Sequence, residues 1–151
     1  MLDPQRSVLV DVETTDLHGA VCEIAVISPT GKVLLDTLVN PGCPIAAAAT
    51  RVHGITCDDV AGAPRWEEVL PWLEDAVGGR RLVAYNAEYD RGAVALMSGA
   101  WHPLANPARW DCAMRARADI EGRPWCRLDG GHRALGDTFA MLHVLWSMDC
   151  S

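Results

Sequence analysis

Lysine is almost absent from this chain: Lys32 is the only one among 151 residues. Arginine carries nearly all the positive charge, and the formal net charge is −7. Free affinity for nucleic acid follows phosphate contacts made by Lys and Arg, so this balance argues against tight stand-alone binding through a basic surface. Long apolar runs are also missing. No stretch approaches the roughly 18 apolar residues that a membrane span needs, and no membrane partner is expected. Met1-Leu2-Asp3-Pro4-Gln5-Arg6 has no basic segment followed by an apolar one, so a signal peptide is not expected. The six cysteines (Cys22, Cys43, Cys57, Cys112, Cys126, Cys150) form no C-x-x-C pair. That speaks against a structural zinc site and a disulfide framework, and it fits a cytoplasmic setting. Internal repeats and linkers are lacking too.

What is present suits one domain over residues 1–151 with one core, since half of the residues are apolar. Charge is unevenly spread. Residues 1–79 hold four cations against twelve acids, a net −8, and residues 80–133 hold nine arginines against six acids, a net +3. The middle third can meet an anion; the first half needs cations to do so. A solvated arginine face is the plain alternative.

The run Val8-Leu9-Val10-Asp11-Val12-Glu13-Thr14-Thr15 reads as a strand buried on both faces that ends in two carboxylates. Residues i and i+2 of a strand share a face, so Asp11 and Glu13 project side by side. Carboxylates that close repel each other. Either they are solvated at the strand end or they hold a cation. Asp16–Gly19 is a turn, Ala20–Ser28 a second strand, and Val33–Val39 a third. Pro29-Thr30-Gly31-Lys32 between the last two implies a hairpin, hence an antiparallel meander. Ala46–Ala49 is read as a short helical turn. Trp66, Val69, Leu70, Leu73 and Val77 share a face of a helix that Gly78-Gly79 stops, with Pro71 marking a kink or boundary. Arg81–Tyr85 is a fourth strand, entered by a crossover and so parallel to the first. A helix follows from about Asn86 to Met97. A short fifth strand falls within Arg109–Met114, Asp119–Gly131 reads as loop, and His132–Met148 as a helix packed through Leu135, Phe139, Leu142, Leu145 and Trp146.

In open α/β sheets, sites form beyond the carboxyl ends of the strands. With the first and fourth strands parallel neighbours, Asp11, Glu13 and Asp90 share one edge. The last helix adds His132 and Asp137. Five residues of continuous helix turn by ~140°, so a common site works best with His132 on the lead-in loop and Asp137 on the first full turn. Oxygen ligands suit Mg²⁺ or Mn²⁺, and two such ions can clamp the attacking and leaving oxygens of a displacement at phosphorus. They also reverse the local sign of charge, so an acidic site can accept a phosphodiester. An imidazole, which titrates near neutrality when unperturbed, suits His132 to take a proton from water.

The segments VDVETTD (10–16), HGIT (53–56), VAYNAEYD (83–90) and HRALGDT (132–138) resemble, in order and spacing, the motifs of the DEDDh branch of the DnaQ-like 3′–5′ exonucleases. The resemblance spans most of the chain. It implies a ribonuclease H-like α/β fold: a central mixed five-stranded sheet, its first three strands an antiparallel meander and its last two parallel to the first, flanked by helices. It implies two metal ions held by Asp11, Glu13, Asp90 and Asp137, with His132 as general base. It also implies hydrolysis of single-stranded DNA or RNA from a 3′ end to nucleoside 5′-monophosphates. Carried over residue by residue, Thr14, Thr15 and Leu17 would border the terminal nucleotide, His53 and Ile55 would flank the same pocket, and Asn86 would hold the strand's backbone. Asp111 matches a position that looks structural in the family.

Two departures stand out: Asp16 where the family usually has Gly, and a short stretch between Met114 and His132. An oligoribonuclease-like enzyme on very short RNAs is one alternative. Another is a nucleic-acid-processing module active only in complex with a polymerase or nuclease partner. Most tryptophans are expected in packing roles. Trp125, in the loop Arg123-Pro124-Trp125-Cys126-Arg127, is the best candidate to stack on a base, and the same loop could instead dock a partner.

Overall fold

Strand β1 (Ser7–Thr14) lies at the centre of a five-stranded sheet of order β3-β2-β1-β4-β5. The computed structural model describes residues 2–123 and 126–149. β1 pairs antiparallel with β2 (Val21–Ile27), which pairs antiparallel with β3 (Val33–Leu38). On its other edge β1 runs parallel to β4 (Arg81–Ala84), which runs parallel to β5 (Trp110–Cys112). The antiparallel meander and the parallel fourth strand are those expected from the turns and the crossover, and the five-stranded mixed sheet is the one that the resemblance implies.

Side-chain alternation along β1 decides which helix meets which residue. Val8, Val10 and Val12 point into a core shared with α3 (Trp66–Val77) and α4 (Ala87–Ser98), through Trp66, Val69, Leu73 and Val94. Leu9 points the other way, into a core with Met141, Leu142 and Leu145 of α6 (Ala134–Asp149). Asp11 and Glu13 continue the Leu9 face, so they emerge from under α6. A third cluster of Cys22, Ile45, Ile55 and Val60 packs α1 (Ala47–His53) and α2 (Cys57–Val60) near the end of the meander.

Several boundaries differ from those read in the sequence. The alanine run opens a full helix, α1, that ends at Gly54 in the left-handed conformation. Pro71 sits inside α3 without ending it. The stretch expected as loop from Asp119 is helical up to Glu121, as the end of α5 (Ala113–Glu121). The packing face of α6 is rotated from the expected one. Leu142 and Leu145 are buried as expected, but Phe139 and Trp146 are exposed, while Ala134, Thr138 and Met141 are buried. No helix among the described residues is long and apolar enough to cross a membrane.

Candidate active site

Asp11, Glu13, Asp90, His132 and Asp137 line one cleft of about 340 Å³ at the carboxyl end of β1, together with Tyr85, Asn86, Tyr89, Met114, Arg127 and Leu128. The four acids arrive on three supports. β1 carries Asp11 and Glu13. Asp90 sits in the first turn of α4, 3% exposed, and its Oδ1 accepts the Val12 amide at 3.1 Å, tying the helix to the strand. Asp137 lies in the first turn of α6, where the helix dipole favours a negative charge. His132 stands on the lead-in loop with φ 57°, and its amide donates to Asp137 Oδ1 at 3.2 Å. The five-residue spacing therefore works as the sequence required, with loop and helix folded back onto each other.

Ligand oxygens of Asp11, Glu13 and Asp137 all lie within 4.8 Å of one another. Burial, then the surrounding carboxylates, push Glu13 up to about 8. Burial pushes Asp90 up to about 7 against the opposing pull of its backbone hydrogen bonds. Asp11 is raised well above the usual carboxylate range by burial and by Asp90, Glu13 and Asp137. Asp11 Oδ2 is buried with no hydrogen-bond partner, although buried oxygens are almost always satisfied. An all-oxygen set with an orphaned buried oxygen and mutually repelling charges fits a hard divalent cation.

Other residues behave differently from the five. Leu17 is 75% exposed beside the strand end. Asn86 precedes α4 and lines the cleft. Thr14 and Thr15 are buried: the Thr14 hydroxyl donates to the Asp16 carbonyl at 2.8 Å and meets the Tyr89 hydroxyl, and the Thr15 amide donates to the Ala20 carbonyl at 2.8 Å. His53 and Ile55 are not brought to the cleft. His53 Nδ1 accepts the Ile55 amide at 3.1 Å, which leaves Nε2–H to donate to the Thr14 carbonyl at 3.0 Å. Ile55 is 2% exposed in the third core cluster. Asp111 forms a two-pronged pair with Arg81, at 2.7 and 2.8 Å, away from the cleft. Trp125 lies outside the described residues.

The Asp16 departure has a local explanation. A turn closes from the Gly19 amide to the Asp16 carbonyl at 2.9 Å, and the residue taking the left-handed conformation is His18, at φ 60°. Gly19 is needed there, because a Cβ on it would meet Thr15 Oγ1 at 2.5 Å and the Asp16 amide nitrogen at 2.6 Å. Position 16 itself does not take a left-handed backbone, so a carboxylate is accommodated, and its Oδ1 accepts the Leu17 amide at 2.8 Å.

Two supports of the site escaped the sequence reading. Glu23 stands opposite Glu13 across the β1–β2 pair, 4% exposed. It grips the Arg133 guanidinium through both oxygens and accepts the Ala134 amide at 2.8 Å, so it holds the start of α6 against β2. Only the strand register reveals this, and the sequence has no sign of it beyond a lone charge in an apolar strand. Gly130 is the second. A Cβ there would lie 2.0 Å from Asp137 Oδ1, and one on Gly136 would lie 2.8 Å from the Gly130 carbonyl, so the two glycines let the loop lie flat on α6. Replacing Glu23 by alanine removes a charged hydrogen-bond cluster, each such bond contributing about 1.5–3 kcal/mol. The expected result is a loss of about 2–3 kcal/mol in urea unfolding, although Glu23 does not line the cleft.

Comparison with known proteins gives a consistent picture. The model of the exonuclease family RNase T (RNase_T) matches residues 8–145. The uncharacterized exonuclease CP81 of Escherichia phage 186 is 33% identical over 126 residues, which cover 78% of this chain and 64% of the phage protein. Exodeoxyribonuclease 10 of Escherichia coli K12 is 36% identical over 96 residues, covering 62% of this chain and 42% of the relative. A DNA polymerase III subunit epsilon-like protein of Rhodobacter capsulatus is 42% identical over 99 residues, 59% of this chain and 14% of that protein. The chain thus spans 64% or less of the length of these curated relatives. Among solved structures, Exonuclease X in complex with 5′ overhanging duplex DNA superposes with TM-score 0.73 at 28% identity, over 94% of this chain and 90% of that one. The nuclease domain of 3′hExo, a DEDDh family member bound to rAMP, superposes with TM-score 0.72 at 15% identity over 95% and 91%, a likeness of fold.

Proposed function

The chain belongs to the RNase T exonuclease family, and from its resemblance to the DnaQ-like DEDDh branch we propose that it removes nucleotides one at a time from the 3′ end of single-stranded nucleic acid, residues 1–151 acting as one exonuclease domain. The observation that carries this reading is the convergence of Asp11, Glu13, Asp90, Asp137 and His132 on one cleft. The names of the relatives, an exodeoxyribonuclease and an exonuclease bound to DNA, favour DNA over RNA. The epsilon-like relative favours work beside a polymerase, which also answers the acidic balance of the chain, because a partner can deliver the strand end.

Asp11, Glu13, Asp90 and Asp137 would hold two Mg²⁺ or Mn²⁺ ions. When bound, such cations polarise the phosphate and lower the pKa of water. His132 takes the proton of the attacking water, and its loop, folded onto Asp137, keeps the imidazole at the rim of the carboxylate cluster. In this reading Asn86, which lines the cleft, and the exposed Leu17 would meet the terminal nucleotide, with the buried Thr14 and Thr15 supporting the strand end behind them. His53 and Ile55 act from beneath, by holding the Thr14 carbonyl and the end of β1, and do not touch the nucleotide. A displacement of this kind depends on positioning and charge neutralisation, and burial on rigid elements supplies the first.

With 5′-labelled single-stranded DNA and RNA of equal sequence, the expected products are ladders shortened from the 3′ end, stronger on DNA, and absent with chelator. His132→Ala should lower the rate about 10²–10⁴-fold, the range for losing a positioned general base. Cuts at internal positions, or full activity in chelator, would refute the reading.

A further inference from the structure

Among the described residues, Arg127 is the only guanidinium that lines the acidic cleft. Its Nη2 lies 2.9 Å from His132 Nε2. A guanidinium has donors and no acceptor, so Arg127 donates and His132 Nε2 accepts. The side chain is aimed there by anchors on both sides. The carbonyl of Cys126 accepts the Tyr85 hydroxyl, which itself accepts Arg117 of α5 at 3.2 Å. On the other side, Leu128 packs against the core formed by Leu9, Val83 and Met141. Arg127 is thus presented to the cleft by a segment tied to the sheet on one side and to the core on the other.

The contact has a chemical consequence. The Nε2 lone pair that accepts from Arg127 is the one with which His132 would take a proton. A phosphodiester is a better partner for a guanidinium than a neutral ring nitrogen, because the bond to it is charge-assisted on both sides and can be two-pronged. We propose that Arg127 binds a non-bridging oxygen of the scissile phosphate, and that in leaving His132 for that phosphate it uncovers the base only when substrate is in place. The base-uncovering half rests on the reading of His132 as general base; the phosphate contact does not. The same residue then contributes affinity and gates the site.

Binding can be measured apart from hydrolysis. The probe is a 5′-fluorescein oligothymidylate, followed by anisotropy in Ca²⁺, with the 3′-terminal linkage either a normal phosphodiester or an uncharged methylphosphonate. Arg127→Ala is expected to weaken binding of the normal probe about tenfold, about one charge-assisted contact, and to change binding of the methylphosphonate probe less than twofold. Arg127→Lys should recover part of the loss. His132→Ala should tighten binding of the normal probe about threefold, since the competing acceptor is gone, and should have no such effect when combined with Arg127→Ala. Equal weakening on both probes, or none on either, overturns the phosphate contact; unchanged affinity in His132→Ala overturns the gate. If the wild-type chain fails to shorten DNA while these affinities shift as expected, the exonuclease reading falls and the phosphate contact stands.

Discussion

Asp11→Asn is expected to abolish hydrolysis, by about 10³-fold or more, and at the same time to raise the melting temperature of the metal-free protein. The two effects share one cause. Asp11 is buried among Asp90, Glu13 and Asp137 with an oxygen that no hydrogen bond satisfies, and all of these acids are raised from their ordinary range. An amide keeps the shape and removes the repulsion. The sign of the pH dependence follows from the same shifts. A carboxylic acid whose folded pKa is raised keeps its proton longer in the native state than in the unfolded chain, so the native state is favoured below the ordinary value and loses that advantage as pH rises through the folded one. Glu13 moves from 4.5 to about 8 and Asp90 from 3.8 to about 7. Metal-free protein should therefore become less stable from about pH 4 to pH 8. Mn²⁺ or Mg²⁺ should restore stability, by more at pH 8 than at pH 5, and the Asn variant should show a flatter profile. Thermal melts across that range with and without cation check this. An Asn variant that melts lower than wild type in chelator would mean that the cluster is not under electrostatic strain.

Gly130→Ala carries the second large effect, at a residue that does no chemistry. A methyl group there would sit 2.0 Å from Asp137 Oδ1 and 2.8 Å from Asp137 Cα. The carboxylate alone cannot swing clear, because the backbone of α6 is in the way as well. Either the loop lifts and takes His132 with it, or the helix start moves and takes Asp137. Overpacking of this kind typically costs about 1–3 kcal/mol, and a displacement of about 1 Å at a reacting centre can lower a rate about a hundredfold. The expected outcome is a folded protein, somewhat less stable, with hydrolysis down about a hundredfold and a higher cation requirement. Activity close to wild type would show that the loop has room that the contacts deny. Gly131→Ala, at φ 81° but with nothing within 4 Å of a built Cβ, separates backbone strain from collision and should be the milder change in the position of Asp137.

The parts of the site that were legible in the sequence are those set by local periodicity. Asp11 and Glu13 share a face because a strand repeats every two residues, and the meander, the crossover and the parallel fourth strand follow from turn chemistry and element order. The His132–Asp137 spacing announced a loop joined to a helix. What stayed hidden depends on how distant segments lie against each other. Glu23 looks like a stray charge until the register puts it opposite Glu13 and beneath Arg133. Gly130 is one glycine among thirteen until the loop closes on α6. The buried face of α6 is not legible because apolar residues surround most of the helix, so periodicity alone cannot say that Phe139 and Trp146 remain outside. His53 and Ile55 belong to a stretch that resembles the family motif, and the sequence cannot tell a side chain that borders a pocket from one that supports it.

The placement of β1 has a bearing on durability. Hydrogen-bonded on both edges and covered on both faces, it belongs to the part of a fold whose amide protons exchange only when the whole chain opens. Asp11 and Glu13 inherit that protection. Asp137 and His132 do not: they sit on the start of α6 and on the loop that leads into it, joined to the sheet there by the Glu23–Arg133 grip and one backbone amide. Fraying of that helix start separates one half of the carboxylate cluster from the other while the sheet stays intact. Activity would then be lost at a lower free energy than structure, with the opening of a single helix end in place of global unfolding as the limiting event.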